Sequence, residues 1–223
     1  MSAKSSPNLS PKRQPVASGR ARPVRRDLVT TKGGAVAGMS EEGQEGPAYV
    51  HVAPRHMPLP VLIAVPHAGR AYPADIVSQM RDAGHSKLRL EDRRIDIVGV
   101  DIAKATGTGL LVAHAPRAML DLNRAADDID WGMVTKPRGF DKTAFAESVT
   151  KRVRSVGSTN ARARSGLGLV PRRLPGFGEI WRTKLTHTEL SRRIEDIHQP
   201  YHDFLERELV RIRDAWGAAL LID

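Results

Sequence analysis

The sequence predicts an α/β protein with a largely parallel or mixed sheet, and three observations lead there. Short apolar runs of strand length, Val61–Val65, residues 110–113 and residues 218–223, alternate with segments whose apolar residues recur at helical spacing. Those runs are apolar throughout rather than alternating, as strands covered on both faces are. A chain of 223 residues that is 40% hydrophobic is also long enough to cover such a sheet with helices.

The elements follow in order. Residues 1–48 are rich in Ser, Pro, Gly, Lys and Arg and carry almost no periodic apolar content, so they are expected to form a disordered basic tail, or upstream sequence if translation begins at Met39. After the first strand, Pro66 stops the ladder and Gly69 permits a tight turn. His67 is thereby placed at a strand's carboxyl end, where open α/β sheets build ligand sites. Tyr72-Pro73-Ala74-Asp75 reads as a helix start, with Ile76, Val77 and Met80 on one face. A helix is expected over 90–105, with Ile95, Val98 and Ile102 as its apolar stripe and Glu91, Asp92 and Asp96 in its first turns. Gly107-Thr108-Gly109 closes it and feeds the strand at 110–113; a third strand is expected at 118–122, after Pro116-Arg117.

An amphipathic helix is expected over 143–156. The Gly/Arg/Pro-rich stretch 157–178 is too long for a simple connection and is read as a loop that closes over a site. Thr186-His187-Thr188-Glu189 matches a capping box, and Leu190, Ile194, Ile197, Tyr201, Leu205, Leu209 and Ile212 follow at helical spacing. Pro200 is expected to break or kink that long helix near Gln199. Residues 218–223 read as the last strand.

Composition narrows the chemistry. Without cysteine there are no disulfides or thiolate metal sites, so any metal must be held by His, Asp or Glu; a reducing cytoplasm fits. No apolar stretch approaches the roughly 20 residues that span a bilayer. The net charge of +10 raises nucleic-acid binding, but residues 1–32 and 151–173 each contribute +7, leaving the remainder at −4. Aromatic residues, at 4%, offer few platforms for stacking bases.

Several side chains are candidates for a site. His67 is either a ligand or a satisfied polar residue. Glu91-Asp92 with His67 would make part of a three-ligand zinc set, although acids at a helix start are also explained by the helix dipole. Asp121-Leu122-Asn123-Arg124 follows a predicted strand, and Asn with Arg suits an anion; Arg124 could equally pair with Asp121, Asp127 or Asp128. His198 and His202 are spaced to share a helical face, but Pro200 lies between them and no glutamate adjoins the first, so packing is the favoured reading.

Taken together, Pro66-His67-Ala68-Gly69, Glu91-Asp92 with Ile95-Asp96, Arg117 with Asp121-Leu122-Asn123-Arg124, and Pro200-Tyr201-His202 with Leu205 resemble the N-formylglutamate amidohydrolase family over roughly residues 58–223. The resemblance implies a zinc-carboxypeptidase-like (phosphorylase/hydrolase-like) mixed sheet flanked by helices. It also implies zinc-dependent hydrolysis of the amide of an N-acyl acidic amino acid, N-formyl-L-glutamate to formate and glutamate in histidine degradation. By motif, His67 and Asp92 would be zinc ligands, with Glu91 as the alternative to Asp92. Asn123 and Arg124 would hold the substrate carboxylate, and Arg117 would contact substrate or oxyanion. In the family the last strand runs into a His-Ser-Met-Pro segment that resembles a source of the third ligand, with a general-base glutamate further on. Residues 49–223 are therefore expected to be the N-terminal portion of such a domain, truncated at Asp223, its final strand an edge without its next partner. The partner implied is a small N-acyl amino acid rather than a membrane. The alternative is a basic protein that contacts nucleic acid through 1–32 and 151–173.

Overall fold

The computed structural model describes residues 27–38, 45–152 and 161–223. The chain runs through β1 (Leu28–Gly33), β2 (Tyr49–Pro54), β3 (Val61–Val65), α1 (Ala74–Gln79), α2 (Ala83–Leu90), α3 (Ile95–Thr106) and β4 (Gly109–Ala113). It continues through β5 (Val134–Thr135), α4 (Lys142–Arg152), α5 (Ala161–Arg164), β6 (Arg173–Leu174), β7 (Gly178–Glu179), β8 (Leu185–Thr186), α6 (His187–Arg193), a π-helical turn (Ile194–His198), α7 (Gln199–Trp216) and β9 (Leu220–Ile222). Five strands form the main sheet in the order β1-β2-β4-β3-β9. β3 is parallel to β4 and β9, while β1 and β2 join antiparallel, so the sheet is mixed, in the α/β class expected from sequence. The carboxyl ends of β3 and β9 share one edge. Among the described residues no helix is long and apolar enough to cross a membrane.

Burial on both faces accounts for the apolar runs of β3 and β4, whereas the last run, expected as a buried strand, is corrected: β9 lies at the sheet's edge with Leu220, Leu221 and Ile222 exposed. In β3, Leu62 belongs to the main core, whereas Ile63 and Val65 join Leu110 and Ala68 in a smaller cluster packed with Ile95, Val100 and Ala103 of α3. Gly99 lets that helix approach closely, since a Cβ there would sit 3.0 Å from Leu110 Cδ1. The expected α3 stripe is thereby corrected: Val98 and Ile102 are half exposed, at 49% and 45%. The start is corrected too, because Leu90 ends α2 and a turn at 91–94 intervenes. In that turn Arg94 has φ +68°, a left-handed backbone costly for a side chain with a Cβ, which stops the helix from extending back to Leu90.

Other expectations also change. β1 lies within the stretch expected to be disordered and pairs along its length with β2; residues 1–26 and 39–44 lie outside the described residues. Residues 118–122 are fully buried but form no strand. Their carbonyls accept hydrogen bonds from side chains of a distant helix, and Asp121 N–H donates to the Leu169 carbonyl at 2.7 Å. Of the stretch 157–178, residues 157–160 lie outside the described residues and the rest contains α5 and the β6–β7 hairpin. Leu167 and Leu169 pack beside residues 121–124 through their carbonyls.

Pro200 does not break the long helix. The Gln199 N–H bonds to the Ile194 carbonyl, five residues back, so the backbone loosens into a π-turn just before the proline. The Asp196 carbonyl, which no N–H of Pro200 can reach, accepts from Ala35 N–H at 2.8 Å.

Gly69 fixes the turn after β3 by close approach rather than by an unusual φ. A Cβ at that position would collide with the carbonyls of Ala115 and His114, which are backbone atoms and cannot rotate away. Gly69→Ala is therefore expected to lower stability by about 3 kcal/mol, read from the urea midpoint; an unchanged midpoint would contradict this packing.

Candidate functional site

The site is assembled around Asp121, a fully buried carboxylate at the end of the apolar run 118–122. Its Oδ1 lies 2.8 Å from His67 Nε2 and accepts the Asn123 N–H at 2.9 Å. Its Oδ2 accepts from Arg117 Nε at 2.9 Å, with Arg124 Nε at 3.6 Å. Burial alone would push this carboxyl up, but the His67 hydrogen bond and the Arg117 charge outweigh it and hold Asp121 below the ordinary carboxylate range. A carboxylate this deep persists only because it is so fully paired.

His67 reaches Asp121 from the β3 turn, and its other nitrogen faces a second acid. Nδ1 is 3.3 Å from Asp92 Oδ2, and the Asp92 N–H donates to the His67 carbonyl at 3.3 Å, joining the two turns. Asp92 is exposed, whereas the Glu91 side chain turns inward and pairs with Arg93 at 3.6 Å. Of the two acids named by sequence, Asp92 is the one beside His67.

The hydrogen-bond inventory of imidazole makes this arrangement informative. If Nε2–H donates to Asp121, a neutral ring points its Nδ1 lone pair at the Asp92 carboxylate. Two acceptors at that distance need a cation between them, either a second proton or a metal ion. Two ligands of one tetrahedral zinc stand about 3.3 Å apart, and a carboxylate behind the ligating histidine is the usual orienting partner. The residues thus fit two positions of a metal site. Among the described residues no group of three or more His, Asp or Glu side chains could hold a metal ion.

Asn123 and Arg124 lie on the same loop. Asn123 Nδ2 donates to a carboxylate, that of Asp223 after β9, at 2.7 Å. Arg124 is held by the carbonyls of Leu167 at 3.2 Å and Asn123 at 2.9 Å. Arg117, named from sequence as a substrate contact, spends its Nε on Asp121. His67, Asp92, Asn123 and Asp223 line one end of a groove of about 400 Å³ whose walls include Val98 and Ile222.

In the sequence Asp121 stands out only as a partner for Arg124, although an acid inside an otherwise apolar run signals a buried, paired charge. The spacing of His198 and His202 favours packing. Their Nε2 atoms in fact bond the carbonyls of Arg124 at 2.9 Å and Leu122 at 3.0 Å.

These features define a class: a mixed α/β protein that gathers a histidine, two carboxylates and two arginines at the carboxyl edge of its parallel strands. Residues 59–223 match the model of the N-formylglutamate amidohydrolase family, and the chain belongs to that family. N-formylglutamate deformylase of Pseudomonas putida is 32% identical over 167 residues, which are 74% of this chain and 51% of that protein. The crystal structure of N-formylglutamate amidohydrolase from Ralstonia eutropha JMP134 superposes with a TM-score of 0.62 at 26% identity, covering 78% of this chain and 56% of that one. The chain therefore spans about half the length of these relatives. The comparisons lend the nucleic-acid reading no support, and residues 1–26 and 153–160 of the basic segments lie outside the described residues.

Burial, reinforced by His202, pushes the His198 ring down to about 3. Above pH 6.5 the ring is neutral whether folded or unfolded; below it the unfolded chain takes up a proton that the folded chain refuses until about pH 3, so stability falls with acid. His198→Gln is expected to make that decline shallower between pH 6.5 and about 4.5, by up to roughly 1.4 kcal/mol per pH unit. Urea unfolding across that range measures it; identical slopes would refute the assignment.

Proposed function

We propose that this chain carries the metal- and carboxylate-binding part of a hydrolase for the amide of an N-acyl acidic amino acid, with N-formyl-L-glutamate as substrate and formate and glutamate as products. The observation that supports it best is His67 held between two carboxylates, Asp121 on Nε2 and Asp92 near Nδ1, in a chain of the N-formylglutamate amidohydrolase family. The same reading groups the sheet with the zinc-carboxypeptidase-like hydrolases and places the protein in the cytoplasm.

In this reading His67 Nδ1 and Asp92 hold zinc, which when bound supplies a Lewis acid for the amide carbonyl and acidifies water. Asp121 fixes the His67 tautomer so that the Nδ1 lone pair faces outward. Asn123 and Arg124 bind the substrate carboxylate, the amide by one neutral donor and the guanidinium by its planar fork. The bond that Asn123 makes to Asp223 is of the same chemical kind. Arg117 keeps Asp121 ionised, and its guanidinium sets a positive field beside the reacting carbonyl oxygen.

Zinc binding, followed by titration of the metal into the chain, is expected to be abolished by His67→Ala, weakened about tenfold or more by Asp92→Asn and unaffected by Glu91→Gln. Zinc affinity that neither His67→Ala nor Asp92→Asn changes leaves a proton as the cation between the two side chains and overturns the metal assignment. Release of formate from N-formyl-L-glutamate is expected to show a KM raised about 100-fold by Arg124→Gln, the loss of a charged hydrogen-bond pair. An unchanged KM would remove Arg124 from the substrate site.

A further inference from the structure

Three side chains of the α6–α7 helix reach the backbone of the site loop. Arg193 Nη1 donates to the Met119 carbonyl at 3.0 Å, His202 Nε2 to Leu122 at 3.0 Å and His198 Nε2 to Arg124 at 2.9 Å. These carbonyls bracket Asp121 and Asn123. In an unbroken α-helix Arg193 and His202 would point about 180° apart. The π-turn at Ile194–His198 adds a residue to one turn and brings all three donors to the loop.

The two histidines do more than fill space. Each must carry its proton on Nε2, because a carbonyl can only accept. Burial keeps both rings uncharged, and their centroids lie 4.2 Å apart. His198 Nδ1 is buried without a hydrogen-bond partner among the described residues. An apolar side chain would fill the same volume without that cost, so the imidazole is explained by the bond its Nε2–H makes. The atoms it reaches matter equally. The Leu122 and Arg124 carbonyls lie in the peptide units that precede Asn123 and follow Arg124, so fixing both holds the ends of that two-residue segment from which the Asn123 amide and the Arg124 guanidinium leave the backbone. The Leu167 and Leu169 carbonyls add further bonds to this loop, from Arg124 Nε and the Asp121 N–H.

We infer that His198 and His202 are positioning residues for substrate binding: their Nε2–H groups clamp the 122–124 backbone so that Asn123 and Arg124 meet the substrate carboxylate in a preformed geometry. The inference rests on the reading that those two residues bind that carboxylate. It separates binding from folding, because a glutamine places a donor where Nε2 lies, whereas a leucine fills the pocket without one.

The test measures equilibrium binding of N-formyl-L-glutamate to the full chain with a chelator present, so that no turnover occurs. His198→Leu and His202→Leu are expected to weaken binding about tenfold each, roughly 1.4 kcal/mol. His198→Gln and His202→Gln are expected to stay within about threefold of the wild type. Imidazole nitrogen NMR of the wild-type chain is expected to show both rings as the Nε2–H tautomer. Leucine variants that lose thermal stability but bind normally, or rings found as the Nδ1–H tautomer, overturn the inference. Should the leucine variants not fold, glutamine variants that fold yet bind as weakly as Arg124→Gln overturn it as well. Binding that Arg124→Gln leaves unchanged, or no binding by the wild type, sinks the substrate reading and this inference with it. A fall with Arg124→Gln but not with the histidine variants sinks this inference alone.

Discussion

The buried carboxylate of Asp121 is the constraint on which the site depends. An unpaired carboxylate at that depth would be untenable, so the chain must bring it partners, and those partners are the candidate functional residues. His67 comes from the turn after β3, Arg117 from the residues after β4, and the Asn123 N–H from the loop itself. Each bond that satisfies Asp121 also orients a group at the carboxyl edge of the sheet. The structural need to neutralise one charge and the functional need to aim several side chains are met by the same contacts.

Around that centre the fold acts as two supports. The sheet delivers His67, and its close contact with the turn after β4 through Gly69 leaves the histidine little room to move. The α6–α7 helix supports the loop from behind through carbonyl bonds, with Arg193 itself buried and neutralised by Glu189 at 2.9 Å. Asp92 stands apart as the exposed member of the group. It can therefore meet a ligand from solvent while the buried members stay fixed.

Much of this was legible in the sequence where the cause is local. Val61–Val65 followed by Pro66 and Gly69 announces a buried strand ending at His67, and the Thr186 cap with Glu189 announces the helix. The failures share a physical origin in partners distant along the chain. Residues 118–122 carry the apolar signature of a strand because they are buried, yet their carbonyls are bonded by side chains some 80 residues away. Val98 and Ile102 keep helical spacing but border a groove instead of the core. Asp121 could not be ranked above its neighbours because what distinguishes it is the convergence of His67 and Arg117. Spacing favours a packing role for His198 and His202, but the carbonyls they bond are invisible to it.

The bond from Ala35 to the Asp196 carbonyl extends the reach of the amino-terminal arm. The family match begins at residue 59, so a boundary drawn from sequence relatives would trim β1 and the residues after it as an appendage. Yet Ala35 fills the one helical acceptor that Pro200 leaves vacant, two residues before His198. Trimming the arm would not touch a single site residue. It would strip the Asp196 carbonyl of its partner at the π-turn from which the loop is supported, so the arm belongs to the folded unit although the family match begins after it.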